Sequence, residues 1–458
     1  MENTSVEKIK EIIESQRLYF RSNATLDLDF RKEMLHRLDA AIVRWEPELY
    51  KALYKDLHKS YEEAYLTEIS IVRGELRKHL KNFKKWAKPE SRWGSLAVWP
   101  SRSRVVCEPL GNTLIVSPWN YPVHLLLNPL VGAISSGCTA VLKPSPYVPT
   151  VSKVVEELIK DTFEERYIAV VQGDRHVNAE LFSHRFDFIF LTGSPQLGRV
   201  AMEAAAKFLT PLVLELGGKS PCIVDEKANV ELAAKRIAWG KTLNSGQTCI
   251  APDYLFVHEK VKDQFIEAFR RHLHLLHGEN IEESQHFCRM VNDKAFNRVS
   301  SYLADGKILC GGKTDPETRY IEPTLLEVSS PDASVMQEEI FGPVFPLMTF
   351  TDIHQVIDFA RGREKPLALY YFGAEKDGWN VLRQVSSGGA CINDVLMHIA
   401  NDNIPFGGVG NAGMGRYHGK DTFLAFSHVR SVVSSPKRLD VPFRYMPYKL
   451  FPFIKHLL

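Results

Sequence analysis

Apolar residues return at helical spacing through the first part of the chain. In RKEMLHRLDAAIVRWEPELYKALYKDLHKSYEEAYLTEISIVRGELRKHLKNFKKW they recur every three or four positions, which predicts amphipathic helices up to about residue 85. The polar positions between them are expected largely on solvated faces. The following ESRWGSLAVWPSRSRVVCEPLG alternates apolar and polar residues around Gly, Ser and Pro, which predicts a strand pair projecting from the body over 86–104.

From Asn112 the pattern changes to short β-rich runs: TLIVS, AVLKPS, YIAVVQG, DFIFLTG and PLVLELGG. Helical segments separate the first four and precede the fifth. Such alternation specifies a parallel sheet with helices on its faces. After Gly218 the pattern restarts with SPCIVDE, a helix through ELAAKRIAWGKTLNSGQ, a strand YLFVH and a helix KDQFIEAFRRHLHLLH. The predicted fold class is therefore α/β, with two parallel-sheet domains. Beyond Gly415 the chain returns to mixed strand and aromatic-rich segments, without internal repeats.

One stretch invites a different reading. Pro109 to Leu142 contains no Lys, Arg, Asp or Glu and is long enough to span a bilayer. Pro118, Pro122 and Pro129 interrupt it, together with Asn120, His124 and Asn128, so it is predicted as buried interior instead.

Length and charge narrow the function classes. At 458 residues the chain exceeds the size at which single cores stop growing, so two or three packed domains are expected. With 57 Lys+Arg against 55 Asp+Glu, nothing in the bulk charge points to nucleic acid, and no nucleic-acid partner is expected. The 7 cysteines include no C-x-x-C pair, which argues against a disulfide framework or a zinc knuckle. His272, His274 and His277 lack the i, i+4 pairing of a helical zinc site; they are expected on a solvated helix face, and no metal is expected. The opening MENTSVEKIKEIIESQ is charged and helix-like rather than a secretory signal, so the cytoplasm is the expected compartment.

Four segments carry candidate chemistry. FDFIFLTGSPQLGRVAMEAAAKF reads as strand, small-residue turn and helix. Gly193, Ser194 and Gly198 stand where backbone approaches a phosphate at a helix N-terminus. The spacing is neither G-x-G-x-x-G nor a P-loop, so an ordinary strand-to-helix turn remains open. LELGGKS sets Glu215 at a strand end, either as a general base raised by apolar surroundings or as a paired structural carboxylate. NSGQTCIAP places Cys249 in a small-residue loop after a helix, as an accessible nucleophile or one more inert thiol. SPWNYP holds Asn120 after a strand, as an oxyanion donor or a turn residue.

Taken in order, SPWNYP, AVLKPS, FLTGSPQLG, LELGGKS, NSGQTC, EEIFGP and PFGGVGNAGMGRYHG resemble the motif series of the aldehyde dehydrogenase superfamily, over roughly Arg31 to Val441. GGACINDVLMH, the YHGK segment and the short N-terminus resemble its class 3 branch, which acts on fatty or aromatic aldehydes. The resemblance implies NAD(P)-dependent oxidation of an aldehyde to a carboxylic acid through a cysteine thiohemiacetal and thioester. Cys249 would be the nucleophile, Glu215 the general base, and Asn120 with the Cys249 backbone N–H the oxyanion hole. It further implies Lys143 near the adenosine ribose, Gly193, Ser194 and Gly198 around the pyrophosphate, Glu339 on the nicotinamide ribose, and Trp119 and Phe341 beside the cofactor. This family reaches the pyrophosphate with its own glycine pattern, which accounts for the missing G-x-G-x-x-G.

Tyr121, Leu125, Trp239, His398 and Ile399 match positions lining the branch's substrate tunnel, and imply medium-chain aliphatic or aromatic aldehydes. Where the family often has Glu after AVLKPS, Pro146 stands here. No carboxylate would then repel a 2′-phosphate, and NADP is expected to be accepted beside NAD or even preferred to it. By the same resemblance, residues 1–85 and 105–216 form a dinucleotide-binding domain and 217–414 a catalytic domain. Residues 86–104 and 415–441 build the interface of a homodimer, and 442–458 is a tail. The tail YMPYKLFPFIKHLL, with Lys449 and Lys455 beside apolar residues, is too short to span a membrane but has the composition for peripheral lipid contact. Two rivals remain: an acylating enzyme that passes its thioester to coenzyme A, against which Glu215 argues, and a non-catalytic nucleotide-binding relative, against which intact Cys249, Glu215 and Asn120 argue.

Overall fold

The computed structural model describes residues 2–94, 98–441, 444–448 and 451–455. Its N-terminal part is helical: α1 (Val6–Arg21), α2 (Leu28–Leu57), α3 (Tyr61–Ala64), a π-turn over Tyr65–Ile69, and α4 (Ser70–Trp86). Ser5 caps α1 by accepting from Lys8 N at 3.2 Å, and Asp27 caps α2 from Asp29 N at 2.7 Å.

The polar side of these helices departs from the expectation of solvation. Gln16, Arg31, Lys59, Glu68, Glu75 and His79 are all buried. The helices pack on neighbours at more than one side: α1 lies on the first sheet and α4 against a fully buried helix. Inward polar groups must then find partners. Gln16 Nε2 donates to Ala140 O at 2.9 Å, Arg31 Nε to Thr25 O at 2.8 Å, and His79 Nε2 stands 3.0 Å from Glu75 Oε1.

Next come β1 (Glu90–Arg92) and β2 (Arg102–Pro109), paired antiparallel as expected of the strand pair; residues 95–97 between them lie outside the described residues. The first α/β layer follows: β3 (Asn112–Val116), α5 (His124–Ser136), β4 (Thr139–Lys143), α6 (Pro149–Thr162), β5 (Ile168–Val170), α7 (Arg175–Ser183), β6 (Phe188–Gly193), α8 (Pro195–Ala206) and β7 (Leu212–Leu216). β5, β4, β3, β6 and β7 lie side by side in parallel. The order reverses between β3 and β6, and in open parallel sheets ligands bind at such a switch point, beyond the strands' C-terminal ends. Every residue of α5 is buried, so the uncharged 109–142 stretch is interior.

The second layer runs through β8 (Pro221–Val224), α9 (Val230–Thr242), β9 (Tyr254–His258), α10 (Lys262–His277), β10 (Lys307–Cys310), β11 (Thr314–Asp315), β12 (Tyr320–Ile321), β13 (Thr324–Glu327), β14 (Val344–Phe350), β15 (Ala368–Phe372) and β16 (Gly389–Ile392). Seven of these strands form a sheet in the order β10-β13-β14-β9-β8-β15-β16, parallel except for β10, while β11 and β12 form a separate pair. Two of the three α10 histidines, His272 and His277, are not on a solvated face, contrary to expectation, while His274 is partly exposed. α10 packs on α9, His272 is buried with Nε2 2.7 Å from Glu231 Oε1, and His277 Nε2 is 3.0 Å from Thr242 Oγ1.

Two late strands return to earlier elements. β17 (Gly413–Met414) adds antiparallel to β7 with Gly413 opposite Glu215, so the first sheet takes its edge from the end of the 217–414 stretch. Only glycine fits at 413: its φ is +137°, and a Cβ there would stand 2.1 Å from Leu214 O. β18 (Ser427–Ser434) pairs with β2 from Pro109 opposite Ser427 to Arg102 opposite Ser434. No helix among the described residues is long and apolar enough to cross a membrane. Of the tail lysines, Lys449 lies outside the described residues and Lys455 is exposed.

Candidate active site

The C-terminal ends of β6 and β7 open onto a cavity of about 600 Å³, whose lining includes Asn120, Glu215 and Cys249. Three separate stretches of chain deliver these residues. Asn120 lies in the turn after β3 and is buried; its Nδ2 donates to Gln247 O at 3.0 Å. Its backbone carbonyl accepts from Lys59 Nζ at 3.1 Å and from Asn244 Nδ2 at 2.9 Å. Beside it, Tyr121 Oη and Thr248 Oγ1 are 2.6 Å apart, which ties this turn directly to the Cys249 loop.

Cys249 follows α9 through three consecutive left-handed residues: Asn244 at φ 51°, Ser245 at φ 55° and Gly246 at φ 72°. For a non-glycine residue such backbone costs about 1–3 kcal/mol and persists only where surroundings enforce it. Here Glu63 accepts from Asn244 N at 2.8 Å, and Gln247 Nε2 donates to the carbonyls of Asn244 and Arg289, both at 3.0 Å. A Cβ on Gly246 would meet Gly342 O at 2.3 Å. The loop is thus held from both sides, with Cys249 half-buried. Burial first, then the nearby Glu339 and Glu215, pushes its thiol well above the ordinary range.

Glu215 ends β7 at 3% exposure, and neither carboxyl oxygen has a hydrogen-bond partner. Burial alone holds its pKa well above the usual carboxylate range. A buried, unpartnered carboxyl is costly as a structural element, which sets aside the salt-bridged reading of this residue. Glu339 also lines the cavity; burial and then Asp253 push it up to about 8. Gly217 is pressed against it, for a Cβ there would fall 2.0 Å from Glu339 Oε2. Phe341 and Trp119 line the same space and meet edge to face at 5.3 Å.

Of the remaining sequence candidates, Gly193, Ser194 and Leu125 line the cavity. Ser194 caps α8 by accepting from Leu197 N at 3.3 Å. Gly198 lies inside α8, away from the lining; a Cβ there would stand 2.9 Å from Leu216 Cδ1, so its bareness seats the helix on β7. Lys143 is buried at the end of β4, where Nζ donates to Pro144 O at 2.8 Å and burial pushes its pKa down to about 8. Tyr121, Trp239, His398 and Ile399 are likewise outside the cavity lining. Trp239 sits partly exposed on α9, and His398 stacks on Phe406 at 5.8 Å. Sequence reasoning missed Lys219, Arg298, Arg363 and Lys365, four cations that line the cavity. Lys219 was within reach, since it stands in LELGGKS beside the Gly-Gly turn.

The donor set suits a dinucleotide. The start of α8 and the lining cations favour a pyrophosphate, the buried Glu339 carboxyl offers acceptors for ribose hydroxyls, and the Trp119–Phe341 pair gives an apolar wall for a flat ring. A cavity of this kind that also holds a thiol and a free buried carboxyl defines a nicotinamide-linked oxidoreductase of carbonyl compounds.

Comparison with known proteins narrows this class. The model of the aldehyde dehydrogenase family matches residues 1–432, and the chain belongs to that family. It is 44% identical over 441 residues to 4,4'-diaponeurosporen-aldehyde dehydrogenase of Staphylococcus aureus, covering 95% of this chain and 96% of the relative. It is 40% identical over 443 residues to the dimeric NADP-preferring aldehyde dehydrogenase of Canis lupus familiaris, covering 96% and 98%. Its backbone is similar to that of Staphylococcus aureus AldH in its substrate-bound state, with a TM-score of 0.96 at 43% identity over 98% of this chain and 99% of that one. The protein is an NAD(P)-dependent enzyme that oxidises aldehydes to carboxylic acids.

Proposed function

We propose that Cys249 is the nucleophile, that Asn120 and the Cys249 backbone N–H bind the oxyanion, and that Glu215 is the general base. The observation that carries this reading is that three distant stretches of chain bring these three side chains to one cavity. Burial holds the thiol above its ordinary range, and its proton passes to solvent water in the cavity as the carbon–sulfur bond forms. The aldehyde oxygen becomes an oxyanion in the tetrahedral thiohemiacetal. Asn120 has one N–H on Gln247 O and a second left for that oxygen. When bound, the oxidised nicotinamide supplies the acceptor for the hydride that leaves the aldehyde carbon. Cys249 then carries a thioester. Glu215, in its ionised form, takes a proton from the attacking water, the carbon–sulfur bond breaks, and the thiol is regenerated.

Gly193 and Ser194 at the start of α8 would hold the pyrophosphate, Glu339 the nicotinamide ribose, and Trp119 and Phe341 the ring; Lys143 would stand toward the adenosine ribose. Gly198 acts at one remove, by setting α8 against β7. Pro146 leaves no carboxylate at the 2′-position, so NADP serves beside NAD. Pro146→Glu should lower kcat/KM for NADP by about 10- to 100-fold and change that for NAD by less than about threefold, as a new charge repulsion requires. An unchanged ratio of the two cofactors would remove Pro146 from this role.

The apolar wall of Leu125 and Trp119 suits medium-chain aliphatic or aromatic aldehydes. Reduced-nicotinamide absorbance should show hexanal and benzaldehyde preferred over succinic semialdehyde by about tenfold or more in kcat/KM, since the lining cations Lys219, Arg298, Arg363 and Lys365 would be taken by the cofactor's pyrophosphate and an apolar wall is left for the tail. A preference for succinic semialdehyde contradicts this substrate class. We also propose a homodimer built on the β1-β2-β18 sheet. β18 is its edge strand, with Val429, Val432 and Val433 exposed, and an open apolar edge is a surface that proteins normally cover. Light scattering at micromolar concentration should return twice the mass of one chain; a single-chain mass rules the dimer out.

A further inference from the structure

The proposed chemistry leaves one buried ion pair beside the active site unused. Lys59 follows the left-handed His58 that ends α2, and Glu68 lies in the π-turn between α3 and α4. Such turns are frequent at functional sites. Lys59 Nζ and Glu68 Oε1 are 2.9 Å apart, and both side chains have 0% exposure. Burying two charges is costly, and often contributes less to stability than apolar packing of the same volume would.

Neither charge is spent on its partner alone. Lys59 Nζ also donates to the Asn120 carbonyl at 3.1 Å and stands 4.2 Å from the centre of the Tyr121 ring. The second oxygen of Glu68 accepts from Val123 N and His124 N, both at 2.9 Å. The pair therefore grips both ends of the 120–124 segment, the carbonyl of its first residue and the amides that open α5. Asn244 of the nucleophile loop donates to that same Asn120 carbonyl. Lys59 thus meets the point where the oxyanion turn and the Cys249 loop are joined.

The side chain of Asn120 has little else to fix it: one N–H is on Gln247 O, and Oδ1 is buried without a partner. Its direction is set mainly by its backbone. An oxyanion donor works by being aimed before charge develops. We propose that Lys59, held by Glu68, is a positioning residue for the oxyanion site: it fixes the Asn120 carbonyl and so the direction in which the Asn120 amide meets the developing charge. The inference rests on the reading of Asn120 as oxyanion donor. A pair that only ties helices together would change the amount of folded enzyme and leave the chemistry of each folded molecule as it was.

The test compares full-length wild type with Lys59→Met, Lys59→Met/Glu68→Leu and Asn120→Ala. Folded sites are counted by fluorescence titration with the cofactor. Turnover is read with hexanal and its 1-deuterated form. Per folded site, both Lys59 variants should lose about 10- to 100-fold in kcat, the range for a misaimed reacting group, with KM within about threefold. The deuterium isotope effect on kcat/KM should rise toward that of Asn120→Ala, because the slowed step is the one that breaks the C–H bond. The double variant removes both charges of the pair together, so it decides the matter if Lys59→Met fails to fold. Wild-type kcat and isotope effect per folded site in the double variant overturn the positioning role. If Asn120→Ala itself turns over like wild type, the oxyanion reading fails; if it is slow and the Lys59 variants are not, only the clamp fails.

Discussion

Replacing Cys249 by alanine abolishes aldehyde oxidation, with a loss of at least about 10³-fold in kcat, as expected when the group that forms the covalent intermediate is removed. Cofactor binding and folding survive the change. The residue is half-buried, and the loop that carries it is held by Asn244, Gln247 and Gly246 rather than by the thiol. Losing the sulfur costs at most about 1–2 kcal/mol of stability, comparable to other small truncations near a core. Reduced-nicotinamide absorbance measures the first effect, and fluorescence titration with the cofactor the second. Retention of a tenth or more of wild-type turnover would move the nucleophile elsewhere.

Glu215→Gln has the second largest effect, and a double signature. Steady-state turnover falls by about 10²- to 10⁴-fold, the range for loss of a general base. The first turnover, however, still releases about one reduced nicotinamide per site, because thioester formation precedes the step that needs the base. A burst followed by near silence is the expected trace. Absence of a burst would place Glu215 in the first half of the reaction. Rescue of turnover by coenzyme A would show a thioester open to other acceptors.

The same substitution affects stability with a definite sign. The Glu215 pKa is raised in the folded enzyme by burial, against about 4.3 for an unfolded chain. A raised carboxyl pKa contributes stability that is fully present below the unfolded value and is lost as pH rises through the folded value. Wild type therefore loses this contribution as pH rises from about 4.3 through the folded value, and the glutamine variant does not. Thermal unfolding should show the variant at least as stable as wild type, with its advantage widening as pH rises. An advantage that shrinks with pH would mean the carboxylate is stabilised as an ion.

The alternation of strand and helix was legible because buried parallel strands read as apolar runs, and each lies where its run stands. The three residues proposed to react stood out in context, Glu215 before Gly217, Cys249 after small residues, Asn120 between aromatic and proline neighbours, and the fold gathers them at one cavity. Periodicity failed where a helix has neighbours on more than one side. Lys59, Glu68, Glu75 and His79 occupy polar positions of the helical pattern, and the pattern cannot say whether such a position faces water or a second protein layer. His272 and His277 were misread for the same reason. Gly198 carried a legible signal, bareness, and the close approach that the fold shows there is to Leu216. Lys219, Arg298, Arg363 and Lys365 belong to no spacing rule at all; only the fold gathers them.

The antiparallel strand at Gly413–Met414 closes the sheet edge beside Glu215 although the whole second α/β layer lies between the two in sequence. During synthesis, both α/β layers have left the ribosome while β7 still presents an unpaired edge, the kind of edge that recruits strands from other molecules. Glu215 and the strand that covers its edge thus come together only after the second layer has been made. A chain cut shortly before Gly413 contains Cys249, Asn120 and Glu215 yet leaves the edge of β7 open, the kind of edge that favours aggregation.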